Sequence, residues 1–98
     1  MNILKEQNGS RLTIRLEGRL DTTTAPQLEQ VLSESLPGIT ELVFDLEKLV
    51  YISSAGLRIL LVARKTMSKQ GEMIIRNVTN DVMEIFDITG FSDILTIQ

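Results

Sequence analysis

Leu42-Val43-Phe44 is an unbroken apolar run in a chain of 98 residues. A strand with one wet face alternates apolar and polar side chains. A continuous run therefore fits a strand covered on both faces, in the middle of a sheet flanked by helices. That narrows the chain to layered α/β arrangements, and 98 residues suffice for one such core but not for two.

The flanking segments supply the other layers. Ile3-Leu4, and then Leu12, Ile14 and Leu16 alternating with Thr13, Arg15 and Glu17, read as two short strands with one buried face. Asn8-Gly9 between them suits a tight hairpin, because both residues tolerate positive φ. Thr24 with Gln27 three residues on matches a capping box, and Pro26 fits a first helical turn, where its missing N–H is not needed. Leu28, Val31, Leu32 and Leu36 then share a helical face, which Pro37-Gly38 ends.

From about Ser54 to Lys69 the pattern predicts a second helix, with Leu57, Leu60, Leu61, Arg64 and Met67 on its stripe, Arg58 and Lys65 off it, and Gly71 as its stop. Met73-Ile74-Ile75 is another buried strand. Thr79 or Asn80 caps a short helix carrying Val82, Ile85 and Phe86, which Gly90 ends, and Ile94-Leu95-Thr96-Ile97 reads as a last strand. The order ββαβαβα(β) implies right-handed crossovers and a partly parallel sheet. The expectation is a single α/β domain over residues 1–98, with a mixed sheet of four to five strands and about three helices.

Composition removes whole classes of function. Ten basic against thirteen acidic residues give a net charge of −3, and no basic stripe stands out along the sequence, so no nucleic-acid partner is expected. The absence of cysteine excludes disulfides and thiolate chemistry, and the absence of histidine removes the commonest general base and metal ligand. The longest apolar run, Ile59-Leu60-Leu61-Val62-Ala63, falls far short of the roughly 20 residues that span a bilayer, and Met1 to Glu6 lacks a signal peptide's blocks. A cytoplasmic protein without a membrane partner is expected.

Few residues remain for chemistry. Asp45 and Glu47, read as lying just past the central strand, could gather with Asp21 at one end of the sheet for acid–base work or a hard cation. Short acidic side chains also satisfy backbone N–H groups in turns. Ser53-Ser54, between a strand and a helix, superficially matches a nucleophile elbow, but the G-x-S-x-G frame and a histidine base are missing. Lys48 and Lys65 have no spacing that argues for a Ser–Lys pair, and no phosphate-cradling glycine loop occurs. The chain is read as a non-enzyme without a cofactor. What Tyr51 to Leu57 does offer is a strand-to-helix turn presenting hydroxyls to a protein partner. A serine at a helix start caps a free N–H, and the same N–H groups and helix dipole tolerate a phosphate.

At these residues the sequence resembles the STAS domain family (sulfate transporter and anti-sigma factor antagonist), most closely its free-standing bacterial anti-sigma factor antagonists. The resemblance runs through Gly18-Arg19-Leu20-Asp21-Thr22-Thr23-Thr24, Val43-Phe44-Asp45-Leu46 and, most specifically, Tyr51-Ile52-Ser53-Ser54-Ala55-Gly56-Leu57-Arg58. It implies a STAS fold and partner switching. The unmodified antagonist binds an anti-sigma factor serine kinase of the GHKL type and frees a sigma factor; phosphorylation releases it, and a PP2C-type phosphatase restores it. The family motif is commonly Asp-Ser-x-Gly-Leu. Aligning it on Gly56-Leu57 implies Ser54 as the phosphorylated residue and puts Ser53 where the aspartate stands, leaving Ser53 as a second candidate acceptor. By the same resemblance Asp21, Thr22, Thr23 and Thr24 join Ser53, Ser54, Ala55, Gly56, Leu57 and Arg58 in the partner-binding surface. The family also contains non-phosphorylated structural subunits of transporters and stress-signalling scaffolds, which is the alternative implied.

Overall fold

The computed structural model describes residues 1–98. Its elements follow the expected order: β1 (Asn2–Asn8), β2 (Arg11–Leu20), α1 (Ala25–Ser35), β3 (Glu41–Ile52), α2 (Ser54–Met67), β4 (Glu72–Arg76) and α3 (Asn80–Thr89), then a 3₁₀ turn at Phe91–Asp93. The four strands form one sheet in the order β1-β2-β3-β4. The Asn8-Gly9 hairpin makes β1 antiparallel to β2, with Gly9 at φ +64°. The two helical crossovers make β2, β3 and β4 parallel. This is the mixed sheet that the strand–helix alternation requires.

Leu42, Val43 and Phe44 are fully buried in β3, yet helices cover only one face of it. Leu42 and Phe44 join Leu12, Ile14 and Leu16 in a core closed by Leu28 and Leu32 of α1, Leu57, Leu60 and Met67 of α2, and Val82 and Phe86 of α3. Val43 lies outside that core, in register with Thr13 and Ile74. The ion pairs Arg11–Glu41 (3.3 Å) and Arg15–Asp45 (3.5 Å) flank it along the sheet. Long arginine stems cover apolar surface as a helix would, which is why the run reads as doubly buried.

Several local expectations change. The stretch Ile94 to Ile97 contributes a single parallel bridge, Ile75 to Ile97, because the 3₁₀ turn leaves only its end alongside β4. Arg64 is not part of the buried stripe, which runs through Gly56, Leu57, Ile59, Leu60, Ala63 and Met67. Its Nε instead donates to the Ile94 carbonyl at 2.7 Å and ties down the C-terminal segment. The helix ends at Met67 rather than Lys69. Gly71 is required not by a left-handed cap but by close approach: a Cβ there would lie 1.8 Å from the Thr40 carbonyl oxygen.

Twelve residues of β3 face ten of β2, and two register shifts absorb the excess. Across the second, Gly18 pairs with Leu49 and Arg19 with Tyr51, so Val50 is an unpaired bulge residue, 57% exposed. The bulge brings Leu20 and Ile52 into register, both buried, at the sheet end where the helices begin.

Candidate functional site

Parallel strands bring the loops after β2 and β3 to the same end of the sheet, where α/β folds usually place their sites. The two loops are joined directly: the Ser53 N–H donates to the Leu20 carbonyl at 2.9 Å. Asp21 to Thr24 and Ser53 to Arg58 thus lie at the same end of the sheet.

The two serines differ in what holds them. Ser53 is the N-cap of α2, extended at φ −94° and ψ 176°; its Oγ accepts from the Gly56 N–H at 3.4 Å and its carbonyl from the Leu57 N–H at 2.9 Å. Ser54 is the first helical residue, exposed, and its hydroxyl makes no hydrogen bond within the protein. Capping therefore falls to Ser53 and leaves Ser54 free. Gly56 sits where the first turn of α2 meets the strand ends: an added Cβ would lie 2.7 Å from Leu20 Cγ and 2.8 Å from Ile52 Cγ1. Leu57 is buried beneath this turn, Ala55 is half-buried, and Arg58 is exposed.

The Asp21 loop is a knot of short polar side chains. Asp21 Oδ1 accepts from the Thr23 hydroxyl at 2.7 Å, the Thr23 N–H at 3.0 Å and the Thr24 N–H at 3.3 Å. These bonds, led by the Thr23 hydroxyl and opposed by partial desolvation, hold the Asp21 carboxyl below its ordinary value of 3.8. Thr24 does not close a capping box. Its hydroxyl donates to the Arg19 carbonyl at 2.8 Å and accepts from the Asp21 N–H at 2.9 Å, so the side chain fastens the loop to β2 and none caps α1. Thr22 is exposed.

Two residues beside the loop escape sequence reasoning. Arg19 lies over the Tyr51 ring, 4.3 Å from its centroid, and its Nε is 3.7 Å from Asp21 Oδ2. The pair exists because the Val50 bulge places Tyr51 opposite Arg19, and no local pattern announces a bulge.

The carboxylates do not gather. Asp45 and Glu47 lie inside β3 rather than beyond it. Asp45 pairs with Arg15, six residues before Asp21 along β2, or about 20 Å at strand rise. It accepts from the Glu47 N–H at 3.1 Å and from Asn77 Nδ2 at 3.2 Å, the turn-like role open to a short acid. Lys48 pairs with Glu17 at 3.7 Å, and Lys65 is eleven residues along α2 from Ser54, about 16 Å at helical rise. Neither forms a Ser–Lys pair. No three His, Cys, Asp or Glu side chains converge as a metal site would need, and no helix is long and apolar enough to cross a membrane.

The family model described as STAS domain matches residues 2–98. The chain is 36% identical over 99 residues to BtrV of Bordetella bronchiseptica, itself an inferred anti-sigma factor antagonist, covering 99% of this chain and 85% of that protein. It is 32% identical over 104 residues to the anti-sigma-B factor antagonist of Listeria monocytogenes, covering 100% and 90%. Among solved structures, the anti-sigma factor antagonist SpoIIAA of Bacillus superposes with a TM-score of 0.77 in its unphosphorylated and phosphorylated forms alike. Those alignments carry 19% and 20% identity, covering 99% of this chain and 87% and 91% of those. By the family model over residues 2–98 and its identity to these relatives, the chain belongs to the STAS domain family, in the branch of the anti-sigma factor antagonists.

Proposed function

We propose that this protein binds an anti-sigma factor serine kinase of the GHKL type through Asp21–Thr24 and Ser53–Arg58, freeing a sigma factor in the cytoplasm, and that phosphorylation of Ser54 ends the complex. The observation that carries this reading is the division of labour between the serines: Ser53 is engaged in the cap, whereas Ser54 is exposed and unbonded on the first helical turn. A phosphate on Ser54 meets free N–H groups and the positive end of the helix dipole, so the fold accommodates it. Under a partner the same group adds a charge of about −1.5 to −2. Burying it unpaired costs on the order of 3–5 kcal/mol, or ~100- to several-thousand-fold in affinity. A PP2C-type phosphatase reverses the step. The chain itself acts by binding and performs no catalysis.

The test is incubation with the cognate kinase and ATP followed by mass spectrometry. Modification is expected at Ser54; a kinase that binds the protein yet modifies neither Ser54 nor Ser53 would sink the switch. Ser53 in place of the family's aspartate supports a second reading, a non-phosphorylated structural subunit of a transporter or stress-signalling scaffold. Recovery of a transporter ATPase instead of a kinase in a pull-down from the host would favour it.

A further inference from the structure

Helix α2 contains no acidic residue, in a chain with a net charge of −3. Its Arg58 and Lys65, with Lys69 in the turn that follows, are exposed and form no ion pair. At 100° per residue these three and Ser54 fall within about 60° of one another around the helix. Winding creates this cationic ridge from residues spaced seven and four apart, which is why no basic stripe shows in the linear sequence. Arg64 is not part of it, being bonded to the Ile94 carbonyl on the other side.

Beside the ridge runs an apolar groove between α1 and α2, about 430 Å³, lined by Leu32, Leu36, Pro37, Ile59, Val62 and Ala63. Val62, between groove and ridge, is 52% exposed. Opposite, on α1, the lip carries Glu29 and Ser33. The groove thus has an apolar floor, Glu29 on its α1 side and, beyond Val62 on its α2 side, the basic ridge.

We propose that this groove and ridge are a second docking surface for the anti-sigma factor and hold an acidic amphipathic helix of that partner. The proposal rests on the function proposed above and extends the contact from Ser54 down the length of α2. The lining residues Ile59, Val62, Ala63 and Thr66 span about 11 Å of helix, enough for two or three apolar anchors at i, i+3/i+4 and i+7. Charge sets the orientation: the partner's acidic flank lies on Arg58, Lys65 and Lys69, and its other flank on Glu29. A second copy of this chain offers two helices with acidic and no basic residues: α1, with Glu29 and Glu34, which is already a wall of the groove, and α3, with Asp81, Glu84, Asp87 and an Ile88 that is 78% exposed. Joining α3 of one copy to α2 of the next is a heterologous contact between different surfaces, which builds open chains rather than closed pairs. A separate partner avoids this.

The experiment measures affinity of the full chain for the purified anti-sigma factor kinase of its host by calorimetry, with light scattering on the free protein. K65E/K69E and Val62→Asp are each expected to weaken binding about tenfold or more, and K65E/K69E to flatten the salt dependence. All three positions are exposed, so thermal midpoints stay close to the parent's. Affinity unchanged in both variants, while Ser54→Glu still abolishes binding, overturns the docking surface and leaves the switch standing. A partner whose affinity responds to none of these changes removes the parent reading as well. Assembly of the free chain that Val62→Asp dissolves assigns the groove to a second copy and also overturns the proposal.

Discussion

Adjacent serines with the same side chain take different roles because one sits before the first helical turn and the other within it. Ser53 answers a free N–H of α2, so Ser53→Ala should cost about 1 kcal/mol, read from the urea midpoint, while kinase-dependent modification at Ser54 persists. Ser53→Asp, which restores the family's residue, keeps an equally good cap and should leave stability within a few tenths of a kcal/mol. Asp21 makes a complementary prediction in pH. Its folded-state value is depressed, so what it contributes is complete above its ordinary 3.8 and is lost as pH falls through the lower folded value. The Thr23 and Thr24 amide resonances should therefore hold steady down to about pH 4 and move together only below it. Asp21→Asn should abolish that step; a transition well above pH 4 in the parent would contradict the hydrogen-bond account.

Among the elements, α2 is held by contact so close that its position leaves no slack. At Gly56 any side chain meets Leu20 and Ile52, both buried and hemmed in by the core. Gly56→Ala should cost roughly 1–3 kcal/mol by overpacking. It should also weaken partner binding, since relief requires the helix start carrying Ser54 to shift. Equal affinity alongside a lowered denaturation midpoint would show that the helix start does not set the binding surface. How much of this was legible varied with how local the cause was. The alternation in β2, the Asn8-Gly9 hairpin and the cap at Thr79, whose hydroxyl accepts from the Val82 N–H at 3.4 Å, are local and readable. The role of Gly71 was not, because the Thr40 carbonyl that forbids a side chain there is distant in sequence. Thr24 carries the right spacing for a capping box, yet its hydroxyl goes to Arg19, a choice made by the neighbouring loop. The Arg19–Tyr51 stack depends on a bulge, and Arg64 leaves the apolar stripe because the C-terminal segment offers it a carbonyl. The shared surface of Asp21 to Thr24 and Ser53 to Arg58 was reachable only through family resemblance, since nothing short of the parallel pairing brings those loops together.

For the whole molecule, the proposed switch has to change binding without changing the fold, and the two effects can be compared on one scale. A negative charge at the N-terminus of α2 is favourable by about 0.3–1 kcal/mol through the helix dipole. In a domain of this size 1 kcal/mol moves the thermal midpoint by about 4–8 °C. Phosphorylated Ser54 should therefore leave the midpoint unchanged or raise it by a few degrees in low salt, an increment that fades as salt screens the dipole. Against the proposed partner the same phosphate should weaken affinity by ~100-fold or more, because the interface takes the added charge out of water. Scanning calorimetry and titration calorimetry on one stoichiometrically phosphorylated sample measure both. Had phosphorylation acted by loosening the domain, the midpoint would fall together with the affinity, and a drop of more than a few degrees would replace interface repulsion with local unfolding as the mechanism. The hydroxyl of Ser54 is free on a helix start that Ser53 caps and that Gly56 seats on Leu20 and Ile52, which favours the first outcome, since no bond within the protein has to break to receive the phosphate.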